Sequence, residues 1–139
     1  MNEIGRRLGF DVTNGRYRGT ANQPGYDGLW RTQAGRSLIV EVKTSDVYRI
    51  DLDVIAEYRK RVAASGGLEL ETSSILLVVG RHDTGGLEAQ IRGSRHAWDM
   101  RLISVDSLLR LMTIKEDVGD PSTMEKIGNL LVPREFTRL

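Results

Sequence analysis

Hydrophobic and polar positions along the chain follow two different spacings. Alternation with a period of two, or a short unbroken apolar run, predicts a strand, and apolar positions three or four residues apart predict a helix. The predicted strands are 10–13, 26–32, 38–43, 74–79 and 100–104, and the predicted helices are 3–8, 50–64, 87–93, 105–114 and 122–131. The order is one helix, three successive strands, and then helices alternating with strands.

The segments between these elements indicate how the strands are connected. Asn14-Gly15 predicts a tight turn after the first strand. Residues 16–24 predict a polar loop, and residues 33–36 predict a hairpin turn. A meander followed by β-α-β crossovers is typical of an α/β fold with a mixed central sheet flanked by helices.

The length of 139 residues fits about one domain. Composition breaks at Asp117-Val118-Gly119-Asp120-Pro121, where a proline follows a polar turn and begins a new helix. We therefore expect one domain over 1–116 and a C-terminal helical extension over 117–139. The chain begins within a predicted helix and stops without a closing element, so we expect the extension to lead into a further region of a longer protein.

Composition excludes several classes of protein. The hydrophobic fraction of 40% and charged fraction of 28% are ordinary for a globular chain. The absence of cysteine excludes disulfides, cysteine-ligated zinc, iron–sulfur clusters and a thiol nucleophile. No apolar run approaches the roughly 20 residues of a membrane span, and no apolar stretch follows the N-terminal charges. We expect a cytoplasmic protein with no membrane partner.

The net charge is only +1, which does not indicate a protein that coats nucleic acid by charge alone. The basic residues are mostly arginine, sixteen against four lysines. The arginine guanidinium presents a planar fork of donors that suits phosphate oxygens. Codon bias in a GC-rich genome explains the same excess equally simply.

Three charged residues on the second and third strands stand out. Glu41 and Lys43 are two positions apart, so their side chains leave the same face of the strand, and Val40 and Val42 leave the opposite face. Asp27 lies on the preceding strand, and neighbouring strands are only about 5 Å apart. Asp27 can therefore meet Glu41 if the register permits.

Such a group of side chains suits a divalent cation. Mg²⁺ binds oxygen ligands, usually one or two carboxylates with water completing the shell. Asp27 and Glu41 supply two ligands, and the backbone carbonyl of Val42 can supply a third. The ion activates water and offsets charge on a phosphate. Lys43 can hold the attacking water or stabilise the phosphorus centre, and its ammonium also offsets repulsion between the carboxylates.

At these residues the sequence resembles the PD-(D/E)XK nuclease superfamily. The matching stretches are Gly25-Tyr26-Asp27-Gly28-Leu29-Trp30 and Leu38-Ile39-Val40-Glu41-Val42-Lys43-Thr44. The resemblance covers residues 3–104 and implies a restriction endonuclease-like fold with an α-β-β-β-α-β core. It departs at Tyr26, where the motif has proline.

The resemblance also implies residue roles and a cofactor. Asp27 and Glu41 would bind the metal, and Lys43 would be the catalytic lysine. The metal would be Mg²⁺, for which Mn²⁺ can substitute. Many members carry a further acid on the first helix, and Glu3 is the only candidate for it.

Four residues near this group are weaker candidates for contacts with nucleic acid: Arg16, Arg18, Tyr48 and Arg49. The alternative is that Tyr48 packs on the sheet while Arg49 lies in solvent. Arg92, Arg95 and His96 could clamp a phosphate, or could simply form a solvated helix end.

The leading hypothesis is a Mg²⁺-dependent deoxyribonuclease domain, acting as an endonuclease. With so little net charge, we expect its affinity for DNA to come from a local basic face, a second subunit in a homodimer, or an additional DNA-targeting domain or subunit. Two alternatives stay open. One is a non-catalytic nucleic-acid-binding or assembly module that keeps the fold, and the other is a carboxylate-rich surface without metal.

Overall fold

The structure is a computed structural model that describes residues 1–16, 26–43 and 49–133, with only the backbone of residue 16. The helices of this part are α1 (Asn2–Arg7), α2 (Leu52–Ala64), α3 (Gly85–Arg92), α4 (Val105–Val118) and α5 (Pro121–Leu130). The strands are β1 (Asp11–Arg16), β2 (Tyr26–Arg31), β3 (Ser37–Lys43), β4 (Ser73–Val79) and β5 (Met100–Ser104), with a 3-10 turn at Leu70–Thr72. None of these helices combines the length and apolar character needed to cross a bilayer.

The strands form one open five-stranded sheet in the order β1-β2-β3-β4-β5. The pairs β1–β2 and β2–β3 are antiparallel, whereas β3–β4 and β4–β5 are parallel. The parallel pairs are connected through α2 and α3, as a crossover requires. The predicted α/β fold, with a mixed central sheet flanked by helices, is confirmed.

Both faces of the sheet are covered by helices. On one face α2 and α3 pack on Leu29, Ile39 and Leu77. On the other face α1, α4 and α5 surround Trp30 and Val40. Every residue of β4 is buried, which explains why 74–79 reads as an unbroken apolar run.

The predicted turn at Asn14-Gly15 is wrong. β1 continues through both residues, and Asn14 pairs with Gly28 of β2. A Cβ atom at Gly15 would lie 2.2 Å from the carbonyl oxygen of Tyr26, so this glycine permits close strand approach instead of a turn. The predicted loop at 16–24 lies outside the described residues, except that Arg16 ends β1.

The other element boundaries agree closely with the predictions. The hairpin turn at 33–36 is present, with the Thr32 N–H donating to the Arg36 carbonyl at 2.9 Å. Asp51 caps α2 by accepting the N–H of Val54 at 3.2 Å. The helix predicted over 105–114 is longer, because only Gly119, with φ of 64°, ends it.

The C-terminal helix packs against the sheet. Ile127 of α5 belongs to the same buried cluster as Trp30 and Leu108. α4 spans residue 116, where the sequence places a domain boundary. The division into a domain and an extension, and the further region beyond it, stay predictions.

Candidate functional site

The candidate site lies where β2 and β3 stop pairing. Their last paired residues at this end are Gly28 and Val40. One step beyond, the Asp27 Oδ2 atom accepts the backbone N–H of Val42 at 2.6 Å. The Asp27 side chain therefore takes the place of a backbone partner for Val42 where the β2–β3 ladder has ended.

The same geometry orients the carbonyl of Val42. The N–H and C=O groups of one strand residue point towards the same neighbouring strand. Since the Val42 N–H points at Asp27, its carbonyl lies on the Asp27 side of β3 as well. This backbone oxygen can thus join the carboxylates as a ligand.

Glu41 is a buried acid, and one of its two carboxylate oxygens has a hydrogen-bond partner. Its Oε1 atom lies 3.0 Å from the Nζ of Lys43, and the residue is only 8% exposed. It shares a sheet face with Ile39 and pairs in register with Leu77 on β4, so its surroundings are largely apolar. Of the buried side-chain nitrogen and oxygen atoms in the described residues, Oε2 of Glu41 alone has no hydrogen-bond partner.

The charge environment of Glu41 follows from this position. Burial raises its pKa above the ordinary value of 4.5. The hydrogen bond and the positive charge of Lys43 act in the opposite direction, and the negative charge of Asp27 adds to the rise. Asp27 reaches β3 through its hydrogen bond with Val42, and Lys43 contacts Glu41, so the structure brings all three predicted side chains to the end of β3.

These groups suit a small divalent cation. Two carboxylates and one ammonium have a formal net charge of −1. The Oε2 atom of Glu41, without a partner among the described residues, offers a lone pair. Within residues 1–16, 26–43 and 49–133, no three Asp, Glu, His or Cys side chains gather as a metal site. Among the groups described above, Asp27, Glu41 and the Val42 carbonyl could hold such an ion, with water completing the shell as is typical of Mg²⁺.

Glu3 is not brought into this group. Its side chain is 72% exposed, and its carboxylate lies 3.6 Å from Arg6 on the same helix. The residue before it reaches the site instead. Asn2 Nδ2 donates to the backbone carbonyl of Asp27 at 2.9 Å. Sequence reasoning missed Asn2, because an asparagine at a helix start carries no signal for a contact 25 residues away.

Of the four candidates for nucleic-acid contacts, only Arg49 has a described side chain. Arg18 and Tyr48 lie outside the described residues, and the side chain of Arg16 is not described. Arg49 is exposed and lines a cleft of about 800 Å³ between the start of α2 and the end of α3. Asp27, Glu41 and Lys43 do not line this cleft.

The same cleft contains a second cluster of charged side chains. The Nε2 atom of buried His96 lies 2.6 Å from Asp53 Oδ1, and Arg95 donates to the same oxygen at 3.1 Å. These contacts lower the pKa of Asp53, with the His96 hydrogen bond contributing most. His96 and Arg95 are thus paired within the protein, whereas Arg92 is exposed.

Comparison with known proteins does not assign the site. A scan against protein-family models finds no match, and a search of curated proteins finds no relative of this chain. The resemblance to the PD-(D/E)XK superfamily therefore stays a prediction, and the function has to be judged from the geometry of the site.

Proposed function

We propose that the protein is a Mg²⁺-dependent deoxyribonuclease of the cytoplasm, with a restriction endonuclease-like fold, that hydrolyses phosphodiester bonds within DNA. The Oε2 atom of Glu41, which is buried and has no hydrogen-bond partner among the described residues, carries this proposal. A buried polar atom left unpaired costs about 1–3 kcal/mol of stability. A ligand that binds there and removes this cost accounts for the arrangement.

The residues divide the chemistry between them. Asp27, Glu41 and the Val42 carbonyl would hold the metal, which when bound lowers the pKa of water and offsets charge on the phosphate. Lys43 Nζ stands 3.0 Å from Glu41 and is partly exposed, so it can also reach substrate. There it orients the attacking water or donates to a phosphate oxygen as negative charge develops.

The fold supports the same proposal. The succession of α1, β1 to β3, α2 and β4 corresponds to the α-β-β-β-α-β core that the motif implies. The charged group lies at the carboxyl end of β3, beyond the last β2–β3 pair, and Lys43 is partly exposed there. Because the net charge is only +1, affinity for DNA would come from a local basic face, a second subunit or an additional targeting domain.

One observation favours a second candidate function. Asp27 already accepts the Val42 N–H, and Glu41 already pairs with Lys43, so each acid has one partner within the chain. A non-catalytic nucleic-acid-binding or assembly module could keep these contacts for the sake of the fold.

Incubation with supercoiled plasmid tests the proposal. We expect nicking with Mg²⁺ or Mn²⁺ and none with EDTA. Lys43→Ala should reduce the rate by about 100-fold or more, as expected for loss of a charged group that acts in the transition state. Lys60→Ala makes the same change on the exposed surface of α2 and should cleave like the wild type.

Calorimetric titration with Mn²⁺ distinguishes the outcomes. Mn²⁺ binding without cleavage of any DNA form would favour the non-catalytic module. If the wild type neither binds Mn²⁺ nor nicks DNA, the remaining hypothesis is a carboxylate-rich surface without metal. Equal cleavage rates for Lys43→Ala and Lys60→Ala would contradict the role of Lys43.

A further inference from the structure

Asn2 connects α1 to the strand that carries Asp27. Its Nδ2 atom donates to the Asp27 carbonyl at 2.9 Å and to Asn14 Oδ1 at 3.0 Å. Its Oδ1 atom accepts the indole N–H of Trp30 at 3.0 Å. Arg6 donates to the same Asn14 oxygen at 3.0 Å. The side-chain amide of Asn2 thus connects α1 to Asn14 on β1 and to Asp27 and Trp30 on β2.

Two glycines leave room for this arrangement. A Cβ atom at Gly28 would lie 2.2 Å from Asn2 Oδ1. A Cβ at Gly15 would lie 2.2 Å from the Tyr26 carbonyl oxygen and 2.6 Å from the Asp27 carbonyl carbon. Any side chain at either position would push the Asp27 backbone or Asn2 away.

Asp27 is consequently held at two points. Its backbone carbonyl accepts from Asn2, and its carboxylate accepts the Val42 N–H at 2.6 Å. The β2–β3 ladder has already ended at Gly28 and Val40, so strand pairing with β3 does not fix this residue. Pairing with β1 holds the flanking residues Tyr26 and Gly28, and Asn2 adds a hydrogen bond at the Asp27 carbonyl itself.

We propose that Asn2 is a positioning residue for the metal site, holding the Asp27 carboxylate in place through the Asp27 backbone. This inference rests on the proposed metal-binding function. Asn2 touches neither metal nor substrate. Groups that orient metal ligands typically affect metal affinity or activity by about 10–100-fold when they are removed.

Mn²⁺ affinity measured by calorimetry gives the first test. Asn2→Leu keeps the size of the side chain and removes its hydrogen bonds, so Mn²⁺ should bind about 10–100-fold more weakly. Excess Mn²⁺ should restore DNA cleavage, and KM for DNA should stay unchanged. Asn129→Leu makes the same chemical change at an exposed position of α5 and should bind Mn²⁺ like the wild type.

Trp30→Phe separates positioning from a general loss of packing. It removes the indole donor to Asn2 Oδ1 but leaves the Asn2 contact with Asp27. Trp30 is completely buried, so this variant loses stability as well. We expect it to keep its Mn²⁺ affinity. An equal weakening of Mn²⁺ binding in Trp30→Phe and Asn2→Leu would overturn the proposal.

Hydrogen exchange of the Val42 amide, followed by NMR, requires no metal. In Asn2→Leu this amide should exchange faster than in the wild type, because Asp27 no longer holds it, whereas Asn129→Leu should leave it protected. Unchanged protection in Asn2→Leu would overturn the positioning role. A wild type that binds no Mn²⁺ would overturn the proposed function separately, and the Val42 result would still decide whether Asn2 positions Asp27.

Discussion

Glu41 and Asp53 are both acids with a basic partner, but they lie in opposite environments. Glu41 is buried on β3 beside Lys43, and the side chain of Asp53 is 69% exposed at the start of α2. Asp53 Oδ1 receives contacts from both His96 and Arg95. Oε2 of Glu41 has no hydrogen-bond partner among the described residues.

The two pKa shifts differ in sign for that reason. Burial, together with the negative charge of Asp27, raises the pKa of Glu41 more than Lys43 lowers it, whereas the hydrogen bond from His96 lowers the pKa of Asp53. An exposed acid whose partners stabilise its charged form can be explained as a contact between α2 and the segment after α3. A buried acid with an oxygen that has no partner in the described part of the chain is what the proposed metal site would require. Charge alone does not distinguish the two sites, but burial and hydrogen bonding do.

The largest expected difference between the Glu41 and Asp53 sites is in how much added Mn²⁺ stabilises the protein. Mn²⁺ at about 100 times its Kd should raise the free energy of unfolding of the wild type by about 2.7 kcal/mol, because only the folded state has the site. Glu41→Gln should lose this increase, since it removes a charged ligand, and Asp53→Asn should keep it. Calorimetric melting with and without Mn²⁺ measures the difference. An equal increase in Glu41→Gln would place the metal elsewhere.

Glu41→Gln should also change the metal-free stability, by a smaller amount. Because the pKa of Glu41 is raised on folding, its favourable contribution is complete below about pH 4.5 and is lost as pH rises through the folded value. At pH 7 the glutamine variant should therefore be more stable, because its amide carries no charge that burial penalises.

Denaturant titrations across pH measure this effect. The difference in free energy of unfolding between wild type and Glu41→Gln should disappear near pH 4.5. Glu57→Gln makes the same chemical change on the exposed face of α2 and is the matched control. A Glu41→Gln variant that is less stable than wild type at pH 7 would contradict the cost assigned to the buried carboxylate.

Asp53→Asn should have the smallest effect, with the opposite pH dependence. The pKa of Asp53 is lowered below 3.8, so its stabilising contribution is present above that pH and is lost as pH falls through the folded value. Wild type should lose more stability than Asp53→Asn on acidification in this range. The lowered pKa of Asp120 contributes equally to both proteins. Parallel acid titrations of the two would disprove the assignment.

The predictions from sequence succeeded where the local pattern and the tertiary environment agree. β5 has the predicted bounds, Met100–Ser104, and Leu52, Ile55 and Val62 of α2 are buried as their helical spacing indicates. At Asn14-Gly15 the two disagree. The dipeptide favours a turn locally, but β1 continues through it. Pairing with β2 and the contacts of Asn14 with Asn2 and Arg6 stabilise the extended form.

The amino-acid sequence by itself determined the α/β class and the shared face of Glu41 and Lys43, because strand periodicity is a local property. It also indicated that Asp27 could join them, since one hairpin connects β2 and β3. Only the tertiary structure decided that Glu41 is buried with an unpaired oxygen, that Asp27 binds the Val42 amide, and that Asn2 reaches Asp27 while Glu3 does not. Those features depend on where α1 and the end of the β2–β3 ladder come to lie, and residue spacing does not encode such distances.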